Sequence, residues 1–556
     1  MKILVFTTDM PPLPGLPTSG TALRTWGLAQ GLAAHGHSVE LSPPKSAHEG
    51  LVRNCDRESL SPRLRAEIDE LGSRAFDAGN QADIIASVRP DIILCGHWPA
   101  LSLRTKPKQP VVVDLAGPHL LERHYQRMEN QQGAIIAKLG VVATADYYIV
   151  SGPSQRLYFL SFLMRAGIRD AASRIAQITM PLDPRLPTPH PVPEEFPRFV
   201  FGGVFLPWQD PSAALRHLSE DLSKRDRGSL TLIGGKHPNY AIDEGPYAAL
   251  FSELAKNPRV SVNPMQPYEQ FVQMLTSSDV ALDLMAWNLE RELALTIRST
   301  TYLWSGVPVI YNDYADLGRL ITHYDAGWTV SPSDKNALSM VLDEIFSSPE
   351  VVRRKSAHAQ QLARDIFAWD RAVQPLLELL NSPVAPRSHE SDIIVDCPES
   401  ADFLVSSGAP MDQYFVSRIP GLARVECKVT THDAPARSAI RLRLFQVERA
   451  DARRGRVGLH SLRETPIAEQ VIEPELVRNN EWLALEVPKQ PDSAGRTYRL
   501  RLESVSPNAG DRVGAWTTHA SPYPLLSFYH GEQFIEQGGM CLRTTCSVTA
   551  AEIDAA

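Results

Sequence analysis

Short apolar runs separated by longer amphipathic stretches fill the first 380 or so residues of the chain. The strand candidates are KILVFTT, HSVELSP, DIILCG, PVVVDL, YYIVSG and RIAQITM, whose alternation with amphipathic segments is the pattern of a parallel sheet covered by helices on both faces. Between the first two, the segment Gly20 to Ala34 carries Leu23, Trp26, Leu28 and Leu32 at helical spacing, and His35-Gly36-His37 supplies a glycine stop. The opening is therefore strand, loop, helix, strand. A Pro-rich stretch from Pro181 to Pro197 favours stiff, extended backbone without ladder donors and marks a first boundary. The rhythm then restarts with RFVFGGVF, SLTLIGG, VSVNPM, VALDLM, PVIYN and GWTVSP, spaced by helical text such as YEQFVQMLTSS and NALSMVLDEIFSS.

From about Asn381 the pattern changes. SPVAPRSHESD reads as a linker, and beyond it apolar and polar residues alternate with period two in RVECKVT, AIRLRLF, LALEVP and YRLRLES. Ile440, Leu442 and Leu444, for example, alternate with Arg441 and Arg443. This predicts an antiparallel β-sandwich with one wet face per sheet. The domains are expected at residues 1–185 and 196–381, both α/β and Rossmann-like, and at 392–550, all-β.

Length and composition narrow the picture. With 556 residues the chain holds several domains, and its 43% hydrophobic and 22% charged content is that of a globular protein. A net charge of -8 without a basic tail argues against nucleic acid as a partner. The apolar run after Met1 ends at Phe6 with no small-residue cleavage site, so it reads as a strand. No stretch is long enough to span a bilayer, which predicts a cytoplasmic protein whose membrane contact, if it has one, is peripheral and on the inner face. The six cysteines are scattered without metal-ligand spacing, so reduced thiols and no metal are expected.

Tandem α/β domains bind ligands at the carboxyl ends of their strands, which makes the cleft between them the expected site. The loop from Thr8 to Gly20 feeds directly into a helix, and Gly20 lets backbone N–H groups approach an anion or sugar. In residues 291–313, Ser299 or Thr300 is a plausible N-cap for a short helix ended by Gly306, and Arg298 beside it places a guanidinium where a diphosphate is favoured. Lys236, after a strand and two glycines, is a second cation for the leaving group; His237 beside it reads as a turn residue. In the first domain Asp114 falls at a strand end, with His119 and Glu122 in the following segment, and His97 and Trp98 stand after another strand. Acid–base or orienting roles follow for Asp114 and His119, and acceptor contacts for His97 and Glu122.

Residues 1–381 resemble the large family 4 of retaining GT-B glycosyltransferases. The likeness rests on the order of AAHGHSVEL, ADYYIVSGPSQRL, FGGVFLPWQDP, TLIGGKHP, SGVPVIYND and FAWDRAVQPLLELL, the last resembling a family helix that crosses back to the first domain. It implies a GT-B fold and transfer, hexosyltransferase-like, from a nucleotide-diphosphate sugar to a glycan or lipid-linked acceptor in bacterial surface polysaccharide assembly. It also implies front-face attack with retention, without cofactor or metal. Gly203, in the glycine turn of the second domain's first strand, belongs to the donor site on this likeness. The family's paired glutamates fall on Leu293 and Thr301, so that motif is absent; Glu290 and Glu292 lie near its first position, and Glu292 is assigned to the donor. The family's Arg and Lys correspond to Val204 or Phe205 and to Gln209, leaving Lys236 and Arg298 as substitutes.

These departures keep a second reading open: a catalytically degenerate GT-B protein that binds glycan or scaffolds a partner. The C-terminal β-domain is expected to bind glycan, dock a partner or self-associate into a homo-oligomer. Trp482, Trp516, Tyr523 and Tyr529 are its candidates for sugar stacking.

Overall fold

The computed structural model describes residues 1–556 apart from 102, 104–106, 127–130, 167, 169, 190–195, 236, 238–246, 382–388, 397, 406–407, 449–462, 509, 519–526, 537 and 548–556. The first apolar runs form β1 (Lys2–Phe6), β2 (Ser38–Ser42), β3 (Ile92–Gly96), β4 (Val111–Asp114), β5 (Tyr147–Val150) and β6 (Ile175–Gln177). They pair in parallel in the order β2-β1-β3-β4-β5-β6. Both faces of this sheet are covered, since Leu4 and Phe6 belong to one apolar cluster and Ile3 and Val5 to another. That double burial explains why its central strands read as apolar runs.

The second set is β7 (Arg198–Val204), β8 (Ser229–Gly235), β9 (Val260–Asn263), β10 (Val280–Asp283), β11 (Val309–Asn312) and β12 (Gly327–Val330). Its order is β12-β11-β10-β7-β8-β9, all parallel. Counted from its own first strand this is 3-2-1-4-5-6, the order of dinucleotide-binding folds. Ligands bind such sheets where the order reverses, at the carboxyl ends of the two strands flanking the switch. In the first sheet these are β1 and β3, and in the second β7 and β10.

Two crossings tie the α/β halves together. The N–H of Leu182 donates to the carbonyl of Phe367 at 2.6 Å, and that of Trp369 donates to the Leu182 carbonyl at 2.8 Å. The chain then returns to the first domain, where Ala372, Val373, Leu376 and Leu377 pack with Ile3, Val5 and Leu28.

Beyond residue 388 the sheets are antiparallel. One contains the strands His389–Val395, Leu422–Thr430, Trp482–Gln490 and Leu542–Ser547, and another contains Met411–Val416, Ile440–Glu448, Arg463–Ile472 and Thr497–Ser504. A single apolar cluster draws Val425, Leu485 and Leu542 from the first and Phe415, Leu442 and Leu500 from the second. This region docks on the first domain through Arg418. Its guanidinium pairs with Asp392 at 3.0 Å and donates to Thr144 Oγ1 at 3.1 Å and the Gly140 carbonyl at 3.3 Å. No helix among the described residues is long and apolar enough to cross a membrane.

Candidate active site between the two sheets

The first switch point is built by the loop that leaves β1. Asp9 is fully buried and accepts the Met10 N–H at 2.8 Å and the hydroxyl of Ser19. Ser19 in turn caps the Gly20–Ala34 helix by accepting the Ala22 N–H at 3.2 Å. Across the cleft, His237 Nε2 lies 3.7 Å from Asp9 Oδ2. Burial holds the His237 imidazole below its ordinary value, against the pull of Asp9. Further contacts cross between the domains. The Gly15 N–H donates to Glu269 at 3.3 Å, the Tyr268 N–H donates to the Leu16 carbonyl at 3.2 Å, and Ser154 donates twice to Asp316. A Cβ on Gly20 would stand 3.0 Å from the Ile297 side chain, so the helix starts of the two domains abut where the sequence predicts a donor contact.

An ionisable cluster fills the first-domain wall. Lys138, on the Gln131–Thr144 helix, is fully buried, and its Nζ lies 3.3 Å from His119 Nδ1. The His119 ring stacks on His97 with centroids 4.7 Å apart. Burial, reinforced by the charge of Lys138, holds both imidazoles well below their ordinary value, so they are neutral at neutral pH. Glu122, one turn along from His119, is pushed up to about 7 by burial and then by the charge of Glu290 in the second domain, against Lys138 and Arg291. Burial likewise brings Lys138 down to about 7, with Glu122 opposing. A Cβ on Gly117 would fall 2.6 Å from Glu122 Oε1, so glycine there makes room for the carboxyl. Facing this wall is the short helix Leu289–Leu293, capped by Asn288, in which Glu290 and Arg291 form a buried pair at 2.6 and 2.7 Å.

The second switch point holds Arg298. Its guanidinium donates to Asp283 at 3.2 Å, to the Val204 carbonyl at 3.0 Å and to Gln209 Oε1 at 3.0 Å, and it lies over the Phe201 ring. Among the described residues its buried Nε has no hydrogen-bond partner. Gly203, at φ +137°, leaves that edge open, because a Cβ there would lie 3.1 Å from the Nε. No other residue tolerates that backbone conformation readily.

Several expectations need correction. The helix expected to begin near Thr301 spans Ile297–Trp304 with Thr296 as its cap residue, so neither Ser299 nor Thr300 is the N-cap. Both are fully buried, with the Ser299 hydroxyl on Asp283 and the Thr300 hydroxyl on the Ile297 carbonyl, so both hydroxyls are engaged within the domain. Asp114 is no free carboxylate: Arg24 grips both its oxygens, at 2.7 and 2.9 Å, and the pair is buried. Glu292 accepts the indole N–H of the exposed Trp287 at 2.8 Å. His237 faces Asp9 and is more than a turn residue.

Lys236, Tyr523 and the side chain of Trp98 lie outside the described residues. Of the remaining aromatics, Tyr529 is buried, Trp482 carries Arg543 on its face, and the Trp516 indole donates to Asn480 at 2.7 Å. Asp9, Lys138 and Arg291 were missed, and Glu290 was named only for its nearness to the absent glutamate motif, without its pairing to Arg291. Lys138 had a signal in its text, a lone lysine inside the apolar run GAIIAKLGVV. Among the described residues no group of three His, Cys, Asp or Glu side chains is placed to hold a metal ion.

No family model and no curated protein matches this chain. Solved structures do match. Sucrose-phosphate synthase from Thermosynechococcus elongatus aligns with a TM-score of 0.51 at 16% identity, over 68% of this chain and 98% of its own. HepE from Anabaena, in complex with UDP-glucose, aligns with a TM-score of 0.48 at 15% identity, over 68% and 99%. A glycosyltransferase from Rickettsia africae gives 0.44 at 14% identity, over 69% and 99%. At such identities the likeness is one of fold. Two parallel six-stranded sheets, with antiparallel sheets following them, fit the paired Rossmann-like domains of a GT-B protein.

Proposed function

We propose that this chain is a glycosyltransferase that moves a sugar from a nucleotide-diphosphate sugar to a glycan or lipid-linked acceptor. The observation that carries the reading is the position of Glu122. A carboxyl group with a value near 7 stands on the first domain and faces Glu290 and Arg291 at the carboxyl end of the second sheet. An acid–base group working at neutral pH needs a value close to that. The crevice at Gly203, with the N–H edge of Arg298 behind it, suits the departing diphosphate.

In this reading the ionised Glu122 accepts a hydrogen bond from the acceptor hydroxyl and draws off its proton as the new glycosidic bond forms. The bond to the diphosphate breaks with its electron pair leaving on phosphate, on the same face, and configuration is retained. His119 and His97 stay neutral and position Lys138, whose charge steadies the ionised Glu122. The antiparallel region is a sandwich-type accessory domain. Surface polysaccharide assembly in the cytoplasm, without a metal, is the setting we propose.

The test is chromatographic release of nucleoside diphosphate from a panel of UDP-, GDP- and ADP-sugars, with and without oligosaccharide and lipid-linked acceptors. Glu122→Gln is expected to lower turnover by about 10²–10⁴-fold. One observation favours the rival glycan-binding reading: both cleft arginines, Arg291 and Arg298, are already neutralised by buried carboxylates. Absence of release and transfer for every donor, with glycan binding intact, would establish that rival.

A further inference from the structure

A cavity of about 270 Å³ lies at the seam between the first domain and the antiparallel region. Ile135 and Leu139 of the Gln131–Thr144 helix, Phe162 of the Pro153–Arg165 helix and Ile394 make most of its lining apolar. Arg165 and Asp396 supply its charged edge. The volume is just below that of ordinary small-molecule pockets, which run from about 300 Å³ upward.

The charges at this edge are unbalanced. Asp396 is shared by Arg165 at 3.5 Å, by Lys428 at 3.7 Å and by Arg543, so among the described residues this carboxylate answers three cations. Glu426, opposite Arg543 in the ladder, and Glu486 both pair with Arg424, at 3.0 and 2.9 Å, so with Asp396 three carboxylates face four cations here and one positive charge is left over. Arg165 is half-exposed, with its one ion pair among the described residues the long contact to Asp396. Outside the cavity the apolar surface continues. Ile135 is exposed, and Leu157 and Met164 are each 69% exposed on the helical face that also carries Ser161. A mostly apolar hollow opening beside surplus positive charge suits a ligand with an apolar body and an anionic head.

We infer that this seam binds an anionic amphiphile, with its alkyl chain in the cavity and its head group on Arg165, Lys428 and Arg543. The chain replaces apolar surface that is otherwise wetted, and the head completes the charge balance around Asp396. Arginine suits phosphate through its paired N–H groups. The inference stands apart from the transferase reading, because binding is measured without turnover and either one survives the failure of the other.

The experiment is calorimetric titration of the full chain with monomeric decyl phosphate, alongside decanol and inorganic phosphate. Binding is expected for decyl phosphate, and weaker by about tenfold or more for each half-ligand. Ser161→Trp changes an exposed helix position and plugs the cavity, so it should abolish binding while circular dichroism and melting temperature stay those of the parent. Arg165→Ala should weaken decyl phosphate about tenfold and leave decanol unchanged. Unaltered binding in both variants, or equal binding of inorganic and decyl phosphate, overturns the proposal. Sedimentation with vesicles separates the two sources of such a ligand. Binding to anionic but not to neutral vesicles points to membrane lipid, whereas binding of decyl phosphate without sedimentation points to a freely presented lipid-linked molecule.

Discussion

Arg298 and Asp283 form a buried ion pair at 3.2 Å, and Ser299 donates to the same carboxylate. Arg298 is therefore part of the buried framework of the second domain. Arg298→Ala leaves Asp283 charged, fully buried and without its cation. Breaking such a pair costs about 3–5 kcal/mol. The sequence alone predicts a variant that loses turnover but folds normally; the structure predicts one that also melts early. Urea denaturation of Arg298→Ala decides the matter, and unchanged stability would refute the buried-pair account.

The same logic reassigns Asp114. With both oxygens on Arg24, it braces the Gly20–Ala34 helix against the end of β4, and Arg24 extends the brace to the Ile178 carbonyl at 3.2 Å. Asp114→Ala should lose about 3–5 kcal/mol of stability. Joining it to Arg24→Met in a double variant should recover most of that, because the uncompensated charge is gone. An Asp114→Asn protein as stable as the parent but without turnover would restore a chemical role to this residue.

The central strands of the two parallel sheets, such as β3, β4, β5, β10 and β11, were legible as apolar runs because they are buried on both faces, whereas β2, β6 and β9 are partly exposed and were placed by the α/β rhythm. The alternation in the C-terminal region was equally plain, and Ile440, Leu442 and Leu444 are indeed fully buried. The site was read less well, for a physical reason. A side chain's chemistry depends on what the other domain brings to it, and Glu290 reaches Glu122 from 168 positions away in the chain. Arg298, Asp114 and Ser299 sit where strand ends and helix starts were expected, yet partners distant in sequence, Asp283 and Arg24 among them, have already claimed them.

Closure of the cleft rests in part on Ser154, which gives its N–H and its hydroxyl to the two oxygens of Asp316, each at 2.9 Å. A Cβ on Gly152 would stand 2.7 Å from Asp316 Oδ2. Asp316→Ala and Gly152→Ala should therefore act alike, one by deleting the acceptor and the other by displacing it. Hydrogen bonds to a charged group contribute about 1.5–3 kcal/mol each, enough to shift an interdomain equilibrium. Small-angle scattering should show a larger radius of gyration for both variants without ligand. If only one of them expands, the shared contact is not what holds the domains closed.

The pH dependence of turnover tests the cluster most directly. Glu122 is raised to about 7 by burial and by Glu290, and Lys138 is lowered to about 7 by burial, so the two titrate as a pair. If ionised Glu122 is the working form, kcat/KM should rise through an apparent value near 7. Lys138→Met removes a charge that holds the carboxyl down, so the rising limb should move to higher pH. Glu122→Gln should abolish the limb altogether; a limb that persists there excludes Glu122 as its source. Stability has the opposite sign from the usual acid-stable histidine. His97 and His119 are held well below 6.5 in the folded chain, so their contribution is present above that value and is lost as pH falls and the unfolded state takes up protons. The melting temperature should therefore fall below about pH 6.5. Replacing both rings with glutamine, which does not titrate, should flatten that decline.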